Sequence, residues 1–439
     1  MGILSSLTRE QKEAVGLLQI GTFLEYFDLM LYVHMAVLLN ELFFPKTDPQ
    51  TAALLSAFAF CSTYVLRPFG ALIFGYIGDH VGRKATVIIT TMMMSISCVI
   101  MANLPTYAQI GISAAWIVTG CRIFQGLSSM GEIIGAQIYV TEITKLPERY
   151  PAVAFIAVAS SLGAVAALGI ASLVTHFGFN WRIAFWIGAG IAVVGSIART
   201  RLRETPEFLF HNSLRKKKHL DWRVFDKKGI TTKSFLAFFL IYCGWPLSFY
   251  LVFVYFNQRL TNSFGYLPED IIFHNFLLSL VFLFTFILWA LLSYKVHPLK
   301  IIKTRGIMCG ILTLFLPWLI HICSTPIHLF LLQSILLFLS LASTPTEAIL
   351  VTSFPVLKRF MSSSVIYASS RALVYIITSF SLVYLTEALS DWGLLVVILP
   401  IIVGFLWGVN HFIKLEKASG NFPEPSTGDK ALSTRFEMD

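Results

Sequence analysis

Apolar runs of roughly membrane-spanning length, about 20 residues, recur along the whole chain, separated by short stretches that collect charge, Gly and Pro. Twelve such segments can be laid out, over approximately 14–39, 52–78, 85–103, 111–140, 152–175, 183–199, 234–257, 271–293, 302–321, 327–353, 362–386 and 391–413. Several are interrupted by Gly or Pro, which is tolerable where helices pack on one another rather than on lipid. The longest polar interval, Thr200–Lys233, divides the segments six and six. The pattern predicts an all-α membrane protein of twelve transmembrane helices. Its parts are an N-terminal six-helix bundle over 1–199, a central loop over 200–233, a C-terminal six-helix bundle over 234–414 and a tail over 415–439. The tail is rich in Gly, Pro, Ser and charge without heptads, and is expected to be disordered.

Composition agrees. Of 439 residues 56% are apolar and 13% charged, against about 25% charged in soluble domains. The net charge of +9 suggests nucleic acid until its placement is read. With loops assigned alternately to two sides, 27 of the 33 Lys and Arg fall on the side of the N-terminus, Arg305 among them. The other side holds Lys46, Arg182 and Arg259, and Arg67, Arg122 and Arg371 lie within spans. The positive-inside rule then puts both termini in the cytoplasm and requires an even number of spans. No nucleic-acid partner is expected; the cluster Arg215–Lys218 reads as a topology signal in reach of anionic lipid head groups.

The six cysteines, Cys61, Cys98, Cys121, Cys243, Cys309 and Cys323, sit in apolar runs with no CxxC and no His at ligand spacing. They read as buried packing residues, with neither a disulfide framework nor a metal. No P-loop, nucleophile elbow or haem motif appears, so no cofactor is expected and pumps and enzymes lose ground. The first apolar run is interrupted by Glu25 and Asp28, and reads as a retained helix rather than a cleavable signal. Met1-Gly2 with Ser6 matches a myristoylation pattern by chance.

A charge at mid-bilayer costs about 2.5–3.5 kcal/mol on insertion scales, so charged residues inside spans face a protein interior or a wet cavity. They are Glu25, Asp28, Arg67, Arg122, Glu132, Glu347 and Arg371. Acids outnumber cations, so a carboxyl without a permanent partner is available to carry protons. Glu25, Asp28 and Tyr32 share one face of the first helix; Arg122, Gln125, Ser129 and Glu132 share one face of the fourth. Either stripe is polar glue between helices or transport chemistry. Arg67, before Pro68, is a structural ion-pair candidate or a functional cation. Aromatic residues of helix seven, Trp245, Tyr250 and Tyr255, are open to two readings: contacts to a quaternary ammonium or an interfacial belt. Glu347 and Arg371 lie about 17 Å from the turn joining their helices at 1.5 Å per residue. This predicts an ion pair or water-bridged contact, against two alternatives: Arg371 binding a solute carboxylate, and Glu347 hydrated at a kink after Pro345.

Between helices two and three runs Gly75-Tyr-Ile-Gly-Asp79-His80-Val-Gly82-Arg83-Lys84. It resembles the loop motif of the major facilitator superfamily, with His80 where a basic residue is usual. In helix one, Gly21-Thr-Phe-Leu-Glu25-Tyr26-Phe27-Asp28 is similar to the signature of the metabolite:proton symporters, the group of the proline/betaine, α-ketoglutarate and citrate carriers, with Thr22 and Tyr26 replacing Asn and Trp. Arg67-Pro68-Phe69-Gly70, Phe124-Gln125-Gly126, Asn180-Trp181-Arg182 and Glu204-Thr205-Pro206-Glu207-Phe208 follow the same pattern. The likeness is dense over 16–210 and thin beyond, where the loop repeat has decayed to Ser293–Lys300.

The resemblance implies a six-plus-six major facilitator fold working by alternating access, with helices one and four lining the cavity. Gly75, Asp79, Gly82 and Arg83 form a conformational latch. It implies a monomeric carrier in a bacterial cell inner membrane, with a small-molecule substrate, protons and membrane lipids as partners. Helix five lacks the Gly-Pro-Gly-Gly pattern of many drug antiporters, which favours symport. Glu25, Asp28 and Glu132 are the proton-coupling candidates. Tyr26, Tyr32, Arg122, Gln125, Ser129 and Arg371 are the substrate-binding candidates. The expected activity is proton-coupled symport of a small polar metabolite, a zwitterionic osmolyte such as proline or betaine, with a di- or tricarboxylate as the alternative. A transporter-like solute sensor and a membrane-embedded enzyme are the readings of other classes.

Overall fold

The computed structural model describes residues 8–44, 64–177, 180–200, 202–216 and 231–422. The first half comprises α1 (Arg9–Phe43), α2 (Arg67–His80), α3 (Arg83–Asn103), α4 (Ile112–Ile143), α5 (Arg149–Phe177) and α6 (Arg182–Arg199), followed by the short α7 (Pro206–Lys216). The second half comprises α8 (Thr232–Phe264), α9 (Pro268–Leu292), α10 (Pro298–Leu314), α11 (Leu316–Ile322), α12 (Pro326–Phe338), α13 (Glu347–Thr352), α14 (Val356–Leu389) and α15 (Gly393–Ala418). No strand occurs among the described residues.

Helix starts follow local chemistry. Thr231 and Thr325 accept the exposed N–H groups of Ser234 and His328, and prolines open α9, α10 and α12, where the missing N–H is not needed. Each of the twelve apolar segments carries helix, though residues 52–63 of the second lie outside the described residues. Seven of the described helices are long and apolar enough to cross a membrane, or eight if α10 and α11, bent by 60°, count as one. Pro317 at the start of α11 accounts for the bend.

Three expectations need correction. The segment read as 327–353 is not one helix: α12 stops at Phe338 and α13 starts at Glu347. The intervening Ser340-Leu-Ala-Ser-Thr-Pro-Thr346 explains it, because Pro345 disfavours α geometry at Thr344 and Ser/Thr side chains compete for backbone groups. Next, Arg305, assigned to a loop by its charge, is 2% exposed inside α10. Finally, the chain beyond 415 is helical to Ala418, and Phe422 still packs with its ring 4.7 Å from His297; residues 423–439 lie outside the described residues.

Within the first half, α1 packs on α5, and α3 on α4 and α6; within the second, α15 packs on α8 and α10. Two seams join the halves, α5 against α9 and α2 against α14. Between the seams lies a cavity.

Candidate functional site

The cavity takes in about 930 Å³ of non-atom space, part of it open to solvent. Both halves line it: α1 through Tyr26, residues 64–67 through Tyr64 and Arg67, α4 through Gln137, α5 through Ser160 and Ser161, α8 through Tyr242 and Trp245, the break before α13 through Ser343 and Thr344, and α14 through Tyr367, Arg371 and Tyr375. Tyr26 and Tyr367 meet across the halves, hydroxyl to hydroxyl, at 3.0 Å.

Among the described residues three charged side chains face this space, and each is held by something other than a counter-charge. The Arg371 guanidinium lies 3.4 Å over the Tyr367 ring and 5.8 Å from the Tyr242 ring. The Arg67 guanidinium lies 4.6 Å over Tyr64. Glu347 Oε1 accepts from the Thr344 hydroxyl at 2.6 Å and the Ser343 hydroxyl at 3.1 Å. The ion pair expected between Glu347 and Arg371 is not formed; both line the same cavity, and stacking and hydroxyls serve them instead. Arg67 forms no ion pair among the described residues either. Buried atoms with no hydrogen-bond partner among the described residues cluster on this lining: Arg67 Nε and Nη2, Gln137 Oε1, Ser161 Oγ, Glu347 Oε2 and Arg371 Nη1. Burying such groups unmatched costs on the order of 1–3 kcal/mol each, so a polar partner that reached them here would be favoured.

The break between α12 and α13 is braced from behind. Arg305 donates through Nη1 to the Thr344 carbonyl at 2.7 Å and through Nη2 to the Ser340 carbonyl, with the Ser340 hydroxyl at 3.3 Å. It stands in for helix N–H groups that these carbonyls have lost. From α8, the Ser248 hydroxyl accepts the Leu341 N–H at 3.2 Å. A Cβ on Gly244 would collide with the Leu341 carbonyl, so glycine is required there.

The stripes on helices one and four do meet, but not in the cavity. Asp28 is 2% exposed, accepts from the Cys98 thiol at 3.3 Å and lies within electrostatic reach of Arg122. Arg122 in turn donates to Gln125 at 2.9 Å. Glu25 is likewise buried. Arg122, Gln125 and Ser129 do not line the cavity, because that face of α4 turns toward α1 and α3; α4 reaches the cavity further along, at Ile133 and Gln137. Tyr32 and Glu132 sit on α1 and α4, but their side chains lie outside the described residues. Of the residues singled out in the sequence, Tyr26, Arg67, Trp245, Glu347 and Arg371 share the cavity. Arg305, Gln137, Ser343 and the tyrosines at 64, 242, 367 and 375 were missed. The tyrosine–arginine–tyrosine spacing at 367, 371 and 375 puts all three on one helix face, and the polar run before Pro345 flags a break.

At the basic end of the bundle the α2–α14 seam is closed by charge. Asp79 accepts the backbone N–H groups of Phe360 at 3.1 Å and Met361 at 2.9 Å, and pairs with Arg83 at 3.3 Å. Arg83 Nη2 donates to the Val356 carbonyl at 2.6 Å. Glu142 pairs with both Arg83 and Arg359 at 3.1 Å and accepts the Thr205 hydroxyl at 2.6 Å. Glu204 accepts the N–H groups of Arg83 and Lys84 at 3.1 and 3.2 Å, capping α3. Burial pushes the Glu204 carboxyl above its ordinary value, opposed by the N–H groups of Thr205, Lys84 and Arg83. Gly82 adopts φ of 143°, and a Cβ there would strike the Glu204 carboxylate. The motif glycine and the distant Glu204 are thus two halves of one cap.

Comparison with known proteins agrees with this architecture. The Major Facilitator Superfamily model matches residues 18–378. A proline/betaine transporter of Salmonella typhimurium is 32% identical over 207 residues, 46% of this chain and 41% of that protein. The inner membrane metabolite transport protein YhjE of Escherichia coli is 36% identical over 197 residues, 43% of this chain and 45% of that protein. The chain thus spans about half the length, or less, of the curated relatives it matches. The structure of the proton:xylose symporter XylE superposes with a TM-score of 0.69 at 15% identity, covering 94% of this chain and 96% of that one. With a family match across most of its length and the same fold along nearly all of it, the chain belongs to the Major Facilitator Superfamily.

Proposed function

We propose that this protein is a secondary active transporter that carries a small zwitterionic metabolite together with protons by alternating access. Its working parts are the bundles over 1–199 and 234–414, rocking about the cavity between them, with both termini in the cytoplasm of a bacterial cell and the monomer as the unit. The observation that carries the reading is the cavity lining, where Arg67, Arg371 and Glu347 each present a buried polar atom that no described residue satisfies. Guanidinium and carboxylate offered to one solute match opposite charges at its two ends. The relatives named proline/betaine transporter support the zwitterion. Glu25 and Asp28, both buried in α1, are the proton carriers, and Arg122 beside Asp28 competes with the proton for the carboxylate.

A di- or tricarboxylate is the second reading, favoured by two guanidinium groups against one carboxylate on the described lining. Uptake into energised membrane vesicles of labelled proline, betaine, α-ketoglutarate and citrate, with and without an uncoupler, decides between them. Uncoupler-sensitive accumulation of proline or betaine alone supports the first reading; accumulation of only the carboxylates replaces it with the second. Solute binding without accumulation in any arm makes the protein a sensor instead.

A further inference from the structure

A zwitterion's positive end can be received in two chemically different ways. A quaternary ammonium has no N–H and is held by open aromatic faces. A primary or secondary ammonium needs a hydrogen-bond acceptor. Several of the rings lining this cavity are already engaged. Arg371 covers the Tyr367 ring at 3.4 Å and Arg67 the Tyr64 ring at 4.6 Å. Trp245 stacks on Phe282 at 4.5 Å with 10° between planes, and Phe282 leans on Phe286 at 4.1 Å. The acceptor, in contrast, is ready. Glu347 is 2% exposed; its Oε1 is engaged by two hydroxyls, while Oε2 has no partner among the described residues.

The acceptor is also fixed in place. Glu347 opens α13 directly after the break, and both hydroxyls that orient it, Ser343 and Thr344, belong to the break. Arg305 spans that break, gripping the carbonyls of Ser340 and Thr344. Also on the lining, Arg371 is 7% exposed and its Nη1 is without a partner among the described residues. We infer that the cavity selects a zwitterion whose ammonium keeps at least one N–H: that N–H donates to Glu347 Oε2, Arg371 Nη1 donates to the carboxylate, and Arg305 is the positioning residue for Glu347. The inference rests on the zwitterion reading above and narrows it, excluding fully N-methylated solutes as good substrates. A buried carboxylate oxygen left unmatched by a methyl group is penalised far more than a slightly altered fit.

The test is calorimetric binding of proline, N-methylproline and N,N-dimethylproline, which carry two, one and no N–H, to the full-length protein in lipid nanodiscs. Affinity should fall at least tenfold on loss of the last N–H. In Glu347→Ala the three affinities should converge to within about threefold. Arg305→Lys keeps a cation but cannot span two carbonyls, so it should weaken proline more than dimethylproline; a purely structural role would weaken both alike. Size-exclusion profiles confirm that each variant is folded, and the wild-type series alone suffices if one is not. Dimethylproline binding as tightly as proline overturns the inference and leaves the zwitterion reading standing. No binding of any of the three overturns that reading, and the inference with it.

Discussion

Replacing Asp79 by Asn probes the seam at the basic end with almost no change of shape. Each Asp79 oxygen accepts one backbone N–H from α14, at 3.1 Å from Phe360 and 2.9 Å from Met361, and the carboxylate pairs with Arg83 at 3.3 Å. Asparagine keeps one acceptor, loses the charge, and turns an NH₂ toward a second donor. Hydrogen bonds to a charged group are worth about 1.5–3 kcal/mol, so losing one and weakening another shifts the closed seam toward opening by roughly 2–4 kcal/mol. At about 1.4 kcal/mol per factor of ten that is a roughly 30- to 700-fold change in the open-to-closed ratio. The shift acts on the equilibrium between conformations, not on the cavity, which Asp79 does not line. Spin labels at Leu146 and Tyr294, exposed positions of 47% and 40% near that end in the two halves, report the separation by double electron–electron resonance. The expected result is a longer-distance population in Asp79→Asn, slower transport, and a solute affinity in the binding-competent state within a few-fold of wild type. An unchanged distance distribution, or an affinity loss of tenfold or more with no change in distances, refutes the reasoning.

Glu25→Gln should abolish uphill accumulation while leaving solute exchange partly intact; uncoupler-sensitive accumulation at the wild-type level would remove Glu25 from proton coupling. Arg371→Ala should fold near wild-type yield, because no buried ion pair is broken, yet lose solute binding at least tenfold. A yield collapse rescued by adding Glu347→Ala would restore the ion-pair idea. Burial and the nearby Lys300 hold the His297 imidazole down at about 4, from an ordinary value of 6.5. The stability that its neutral form contributes is therefore present above pH 6.5 and lost as the pH falls toward 4, at most about 3 kcal/mol. Thermal unfolding should weaken across that window, and a His297→Phe variant with an unchanged pH slope would assign the loss to other groups.

What was legible in the sequence was mainly what lipid and backbone chemistry dictate. Twelve apolar segments all carry helix, and the resemblance carried by Gly75, Asp79, Gly82 and Arg83 implied a latch, while the contact of Asp79 with α14 had no signal in the sequence. Asp79 meets Phe360 and Met361 from almost 300 residues away, a contact no local pattern encodes. Glu347 and Arg371 were flagged by the cost of charge in lipid, but depth alone could not say which way each side chain turns. An aromatic ring under the arginine and two hydroxyls beside the glutamate replaced the expected pairing. The stripe of Arg122, Gln125 and Ser129 shows the limit of helical periodicity: it identifies a polar face, while packing decides whether that face meets a cavity or, as here, α1 and α3. Arg305 was hidden for the opposite reason. A charge eight residues past the loop that ends at His297 reads as part of the loop, and only the broken helix beside it explains why a guanidinium is worth burying.

On the proposal above, the cavity lined by Arg67, Glu347 and Arg371 carries a zwitterion uphill at the expense of a proton gradient. The most direct measurement is uptake of labelled proline into proteoliposomes of the purified protein under an imposed inward proton gradient, with vesicles lacking the protein as blank. Concentrative uptake that collapses with an uncoupler and in Arg371→Ala is expected. Proline flux that stops at equal concentrations inside and outside, with the gradient intact, would contradict it.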